Sequence, residues 1–384
     1  MSMQTRLIQP LDVLMLRGNK SFGDSGEHGA ASMPPNPSVL AGALRSFWLA
    51  DLGCDFNAFK AATPEQYPEP IRSQLGTPTA PRGFRLAHTG LACCVEGQWQ
   101  RVFPLPTDLV VQKDTKDAKE PTIHALKPQP MPAELMSQLA EGQYVPMLRA
   151  PAGKPESKYW LNEQGYHLYL NHQIEQITFD HLVDVATLWK KEYRLGIALD
   201  SKLRTASDGQ LYTTEAIALC EGVQLVADIQ GAPDFPTNGN LRLGGDGRGA
   251  GFETGTLKPL PNVQAKAITS GKLKLVLTSP AVFANGWKLP SQADDGRIQF
   301  AGGSARVVTA SVPRHHVISG WNLAEWKPKP AERVVPMGSV YWLDELQVEA
   351  GTSLQDALQA LLLQDTDPQR CAEGYNACHL ALWV

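Results

Sequence analysis

Ala30-Ala31-Ser32-Met33-Pro34-Pro35-Asn36-Pro37-Ser38-Val39-Leu40-Ala41-Gly42-Ala43-Leu44-Arg45-Ser46-Phe47-Trp48-Leu49-Ala50-Asp51-Leu52-Gly53 decides the fold. Asn36 suits an N-cap, Pro37 suits the first helical position, and Gly53 is a natural stop. Between them Leu40, Ala43, Leu44, Phe47 and Trp48 recur at the spacing of one buried helical stripe. Ser38, Gly42 and Arg45 fall on the opposite face. A hydroxyl, a small residue and a guanidinium near a positively polarised helix N-terminus make a seat for a phosphate group. An apolar strand, Leu7 to Leu16, precedes this helix, and the loop between them is rich in Gly, Ser and Pro.

Working outward, Phe84 to Val95 and Gln98 to Leu105 read as a hairpin turned at Glu96-Gly97. Thr178 to Glu192 reads as a second helix, with Leu182, Val185, Ala186 and Trp189 on one stripe, and Arg194 to Leu199 as a strand. The resulting order, β-α-β-β-α-β, is the ferredoxin-like pattern shared with RNA-recognition domains. Pro106 to Trp160 interrupts it as an inserted, largely surface-lying segment. Its Lys113, Lys116 and Lys119 alternate with Asp114, Asp117 and Glu120, as in a solvated loop.

Beyond Gly209 the expected pieces are a hairpin of Leu211 to Cys220 and Val223 to Ile229, turned at Glu221-Gly222, and an alternating strand, Lys272 to Thr278. Strands at Arg306 to Thr309 and Val340 to Leu343, a helix from Ser353 to Leu363 and a terminal strand from His379 to Val384 follow. The fold class is therefore α+β: two ferredoxin-like (RRM-like) domains, residues 1–206 and 207–384, with a long insertion at about 106–160 in the first.

At 384 residues the length suits two domains, at ~150 residues per domain. A net charge of −4 argues against a surface coated in positive charge but leaves room for a local basic groove. Lys190, Lys191, Arg194, Lys202 and Arg204 supply one candidate. No apolar run reaches the ~18 residues of a membrane span, and the N-terminus lacks a secretory pattern. None of the 6 cysteines forms a C-x-x-C pair, so free thiols in a reducing cytoplasm are expected, and neither a metal nor a cofactor.

Two loops stand out. Leu243-Gly244-Gly245-Asp246-Gly247-Arg248-Gly249-Ala250-Gly251-Phe252 allows close backbone approach to a ligand, with Arg248 as the charged arm; the other reading is a multi-glycine turn between strands. It lacks the Gly-Lys-Ser/Thr ending of a nucleotide-binding P-loop and the register of a dinucleotide fingerprint. Arg17-Gly18-Asn19-Lys20-Ser21-Phe22-Gly23 offers Arg17 and Lys20 to phosphates and the Phe22 ring to a base. His28, His315 and His316 are the general-base candidates, but no hydrolase or metalloprotease motif accompanies them, and no enzymatic activity is expected.

Taken together, the segments resemble a known family. They are Ile8 to Arg17, Pro34 to Ser46, Glu192 to Asp200, Arg204-Thr205-Ala206 with Gly209-Gln210-Leu211-Tyr212, Leu243 to Arg248, Ile318-Ser319-Gly320-Trp321-Asn322 and Val335 to Tyr341. In order and number they are similar to the third-subunit family of the Cmr module, RAMP-superfamily proteins of the type III-B CRISPR effector complex. Gly374-Tyr375-Asn376-Ala377 is a loose version of that family's terminal glycine-rich turn.

The resemblance implies two RAMP domains, no nuclease activity and a place at the end of the complex that holds the repeat-derived 5′ handle of the CRISPR RNA. It implies as partners that RNA, the large polymerase-like signature subunit and a backbone RAMP subunit. The residues expected to touch RNA are Arg17, Lys20, Phe22, Ser38, Gly42, Arg45, Lys202, Arg204, Gly244, Gly245, Gly247, Arg248 and Gly249. The alternatives are a RAMP endonuclease that processes precursor RNA, and the equivalent handle-binding subunit of a type III-A or type I complex.

Overall fold

Leu7 and Ile8 of the first strand are neighbours pointing to opposite faces, and both are buried. The sheet that contains them is thus covered on both sides at this point. The computed structural model describes residues 3–16, 32–61, 67–78, 80–113, 120–132, 143–151, 153–199, 205–322 and 327–384. In chain order the elements are β1 (Met3–Pro10), α1 (Pro37–Asp51), α2 (Phe56–Ala61), β2 (Arg85–Val95), β3 (Gln98–Pro104), β4 (Leu109–Gln112), β5 (Thr122–Ala125), β6 (Lys127–Pro130), β7 (Tyr144–Met147), β8 (Tyr159–Asn162), α3 (Glu163–Leu170), β9 (Leu182–Asp184), β10 (Trp189–Leu199) and β11 (Ala206–Leu219). Then come β12 (Val223–Gln230), β13 (Asn238–Arg242), β14 (Gly249–Thr254), α4 (Gln264–Ser270), β15 (Leu273–Leu277), β16 (Arg297–Phe300), β17 (Gly303–Ser311), β18 (His316–Asn322), β19 (Lys327–Val334), β20 (Val340–Val348), α5 (Leu354–Leu362), α6 (Pro368–Glu373) and β21 (Cys378–Ala381).

The protein is α+β, built on two large antiparallel sheets. The first has the order β13-β14-β1-β12-β2-β3-β8-β9 and the second β16-β17-β20-β15-β21. Within each, four strands repeat one topology. In β14-β1-β12-β2 and in β21-β15-β20-β17 the spatial order is fourth, first, third, second by chain position. The first set keeps a helix, α1, between its first and second strands. The second set keeps helices, α5 and α6, between its third and fourth.

α1 forms as its sequence dictates. Leu40, Leu44 and Trp48 are buried against Ile8, Leu91 and Leu225, while Phe47 meets Phe252 edge-on at 4.9 Å. Burying each such side chain contributes about 1.5–3 kcal/mol. Asn36 precedes the helix but makes no side-chain cap; Pro37 at the first position and Gly53, at φ 67°, do punctuate it. The β2–β3 hairpin turns at Glu96-Gly97, both at positive φ, as the sequence predicts.

The structure corrects other expectations. The β2–β3 hairpin is not the middle of the β-α-β-β order, because β12 inserts between β1 and β2. β11 and β12 turn at Glu221-Gly222 without pairing: β11 pairs with β10, whereas β12 pairs with β1 and β2. The boundary expected after residue 206 therefore falls at the start of β11, and the first sheet runs on to Thr254.

The helix expected over 178–192 is absent. Short turns, β9 and the start of β10 occupy that range. The Asp184 carboxylate accepts the Ala186 amide at 2.9 Å, and its carbonyl accepts the Thr187 hydroxyl at 2.8 Å. Such local bonds compete with a helix, and β9 is also paired to β8. A helix does form earlier, at α3, capped by Asn162 Oδ1 accepting Gly165 N at 2.8 Å.

The 106–160 segment is not wholly superficial. Leu109 and Val111 are buried, and so is Asp108. Asp108 accepts from Lys274 Nζ at 2.8 Å and from Tyr169 Oη at 2.8 Å, tying α3 to the second sheet. A second buried ion pair, Arg101 with Asp228 at 2.9 Å, lies on the face of the first sheet that meets the second. Beside it the His88 and His379 rings stack with centroids 5.8 Å apart. β15 is buried at every position, so the alternation expected of it is missing: it is a central strand with both faces covered.

Candidate functional site

The glycine-rich loop joins β13 to β14 as a tight hairpin. Leu243 N donates to Arg248 O at 2.8 Å. Gly244, Asp246 and Gly247 lie at φ 77°, 56° and 64°. The loop is also docked: Gly245 N donates to Met15 O at 2.8 Å, and Leu11 N to Gly249 O at 3.0 Å. A Cβ on Gly244 would stand 2.7 Å from Met15 O, so glycine there is required by contact as well as by φ. Gly247 has open space around it. The glycines thus serve a turn, and they bring that turn onto the chain leaving β1.

A third element joins this junction. β10 and β11 form a long ribbon whose base is tied to the same exit segment by Leu14 N to Ile217 O at 2.7 Å and Ile217 N to Leu14 O at 2.9 Å. Its side chains at Tyr193 and Leu195 are 69% and 73% exposed, with Ile197 exposed two residues on. At the centre sits Asp12. Its carboxylate pairs with Arg248 Nη1 and, at 3.6 Å, with Arg194 Nη2. Arg194 is also 3.5 Å from Glu192. A hydrogen bond from the Val13 amide, then the two arginines, hold the Asp12 carboxyl below the usual carboxylate range. Arg248 Nε is buried without a partner among the described residues.

The three expected α1 residues do not form an open phosphate seat. Arg45 is only 8% exposed, and burial lowers its pKa while nearby Glu373 opposes the shift. Ser38 Oγ is 3.1 Å from Tyr375 Oη. Only Gly42 faces solvent. The reason is α6, which packs on α1 and β2 from the far end of the chain. Gly374, at φ 96°, lets it close in: a Cβ there would lie 2.9 Å from Leu86 O. The single apolar stripe of α1 carries no sign of this second cover.

The profile of the CRISPR-associated Cmr3 proteins matches residues 6–383. The chain belongs to the Cmr3 family. No curated protein matches it. Among solved structures it is similar to a chain of a type III-B Cmr-beta complex bound to cognate target RNA and AMPPnP, at 14% identity and TM-score 0.47, covering 88% of this chain and 86% of that one. It is also similar to a chain of the Cmr-beta complex bound to cognate target RNA, at 17% identity and TM-score 0.47, with the same coverage.

In this Cmr3-family chain the residues expected at the site divide into three groups. Gly244, Gly245, Gly247, Arg248 and Gly249 lie at the junction. Ser38 and Arg45 are committed to the α6 side, with Gly42 exposed nearby on the same helix. Arg17, Lys20, Phe22, Lys202 and Arg204 lie outside the described residues, as does His28. The first three follow shortly after Leu16 in the chain, and the other two fall between β10 and β11. His315 is exposed in the connection before β18, and His316 is exposed as the first residue of that strand. Among the described residues no group of three or more His, Cys, Asp or Glu is placed to hold a metal ion. Sequence reasoning missed Asp12 and the exposed row Tyr193, Leu195, Ile197. The row's signal was an apolar residue at every second position beside basic ones, a two-residue period, whereas no local pattern marked Asp12.

Proposed function

We propose that this chain is the non-catalytic subunit of a type III-B Cmr effector that caps the repeat-derived 5′ handle of the CRISPR RNA and bridges the large signature subunit to a backbone subunit, within the cytoplasm. One observation carries the reading. The exit of β1, the glycine hairpin and the base of the β10–β11 ribbon converge on Arg194 and Arg248. A splayed single strand is read by loops, by rings and by a few charge-assisted phosphate contacts. This junction supplies the loops and the charged groups, and Tyr193 offers an exposed ring on the opposite face of β10 from Arg194. The repeated strand order supports reading both sheets as ferredoxin-like units, the first lacking its second helix and the second its first. The exposed Tyr193, Leu195 and Ile197 suit cover by a neighbouring subunit or by bases.

The test is co-purification. The tagged chain, expressed with its CRISPR array and neighbouring subunits, should retain RNA beginning in the repeat and bring down the signature subunit. Retention of RNA without handle sequence would defeat the handle assignment. Cleavage of repeat RNA by the lone chain in chelator would favour a RAMP endonuclease instead.

A further inference from the structure

We infer that Asp12 occupies the place of an RNA phosphate, holding Arg248 and Arg194 in register until a phosphodiester displaces it. This deepens the RNA reading of the junction and rests on it. Both arginines turn inward to one carboxylate rather than outward, although each is part-exposed. Arg194 Nη2 stands 3.6 Å from Asp12, beyond a good hydrogen bond, and shares itself with Glu192 at 3.5 Å. Arg248 Nε still has no partner among the described residues. The carboxylate therefore leaves donor capacity unfilled. The two non-bridging oxygens of a phosphodiester match the planar arginine fork, and successive phosphates along a strand can engage both arginines at once. Asp12 itself is anchored through Val13 N, and its side chain is about half exposed, so ligand can reach the pair.

A resident carboxylate has two consequences. It keeps the arginine forks gathered on a protein whose net charge is −4. It also repels the incoming polyanion and lowers the affinity of the free subunit for any RNA that cannot fill both forks. The junction would then favour a strand presenting adjacent phosphates in the right geometry over a casual single contact.

The experiment measures binding of a labelled single-stranded RNA oligonucleotide to the full chain across a salt series. The proteins are wild type, Asp12→Asn, Arg248→Ala and the double variant. Asparagine keeps the shape and an oxygen for Val13 N while removing the charge. Asp12→Asn should tighten binding about three- to tenfold at low salt, an effect that fades as salt rises. Its log–log salt slope should steepen by about 0.7 for each further phosphate neutralised. Arg248→Ala should cost more in the Asp12→Asn background than in wild type, a coupling that a scaffold role would not give. If Asp12→Asn fails to fold, Asp12→Ser, which retains an acceptor, makes the same comparison. Weaker or unchanged binding in the folded Asp12 variant, with Arg248→Ala still harmful, overturns the phosphate-mimic inference and leaves the RNA reading standing. If Arg248→Ala has no effect in either background, the RNA reading of the junction falls and takes the inference with it.

Discussion

Lys274 Nζ and the Asp108 carboxylate lie 2.8 Å apart with both side chains almost wholly excluded from water. They belong to different parts of the chain, β15 and the segment after β3, so their pairing ties the stretch that leaves the first sheet to the second sheet. The Tyr169 hydroxyl donates to the same carboxylate, and its ring centroid lies 4.1 Å from the ammonium. Removing one partner strands a buried charge. Asp108→Ala should therefore destabilise the protein by about 3–5 kcal/mol. Replacing both, as Asp108→Leu with Lys274→Met, should recover much of that loss. Chemical denaturation of the three proteins checks the pattern.

Arg45 is buried, and a structural role is expected of it. Its guanidinium is desolvated under α6, near Glu373, which already holds Arg370 at 3.1 Å and Lys329 at 3.2 Å. Arg45→Ala should lower the melting temperature through lost packing, worth about 1–3 kcal/mol. RNA affinity should fall only in proportion to the folded fraction. A large affinity loss with unchanged melting would return Arg45 to the RNA site.

The two most informative glycines should separate. Gly247→Ala meets only the left-handed backbone cost, about 1–2 kcal/mol, because a Cβ there would find nothing within 4 Å. Gly244→Ala adds a clash with Met15 O at 2.7 Å and should be clearly worse, freeing the hairpin from the β1 exit. Calorimetry ranks them. Amide exchange at Gly245, whose bond to Met15 would be lost, should accelerate only in the Gly244 variant.

His88 gives the fold an acid-sensitive seam. Burial, then Arg101, push its pKa from 6.5 down to about 3, and its neighbour His379 is pushed well below 6.5. Between those values the unfolded chain binds protons that the folded chain refuses. Stability is therefore full above about pH 6.5 and declines as pH falls toward about 3. The slope approaches about 1.4 kcal/mol per pH unit for each imidazole. Melting temperatures from about pH 7 to about pH 4, the window those two shifts define, should flatten in His88→Gln relative to wild type.

How much of this is legible in the sequence follows from the range of the forces involved. α1 and the Glu96-Gly97 turn rest on periodicity, helix-end residues and φ preference, all local, and the structure agrees with the sequence there. The helix expected over 178–192 fails because Leu182, Val185, Ala186 and Trp189 mimic a helical stripe while Asp184 and the β8–β9 pairing hold the chain otherwise. The insertion of β12 between β1 and β2 joins segments far apart in sequence, and no local pattern announces it. At the site, the glycine hairpin is visible from composition. Its tie to Met15, the burial of Arg45 by α6 and the Asp12–Arg248 pair are long-range contacts that charge and spacing alone do not specify.

The most direct measurement is photocrosslinking of the assembled complex, with a reactive base placed in turn through the 5′ handle and the crosslinked peptides identified by mass spectrometry. Handle crosslinks are expected in peptides containing residues 11–22, 190–204 and 244–249, and they should be lost in Arg248→Ala. Handle crosslinks confined to the second sheet, or to other subunits, would contradict the placement of the handle at this junction.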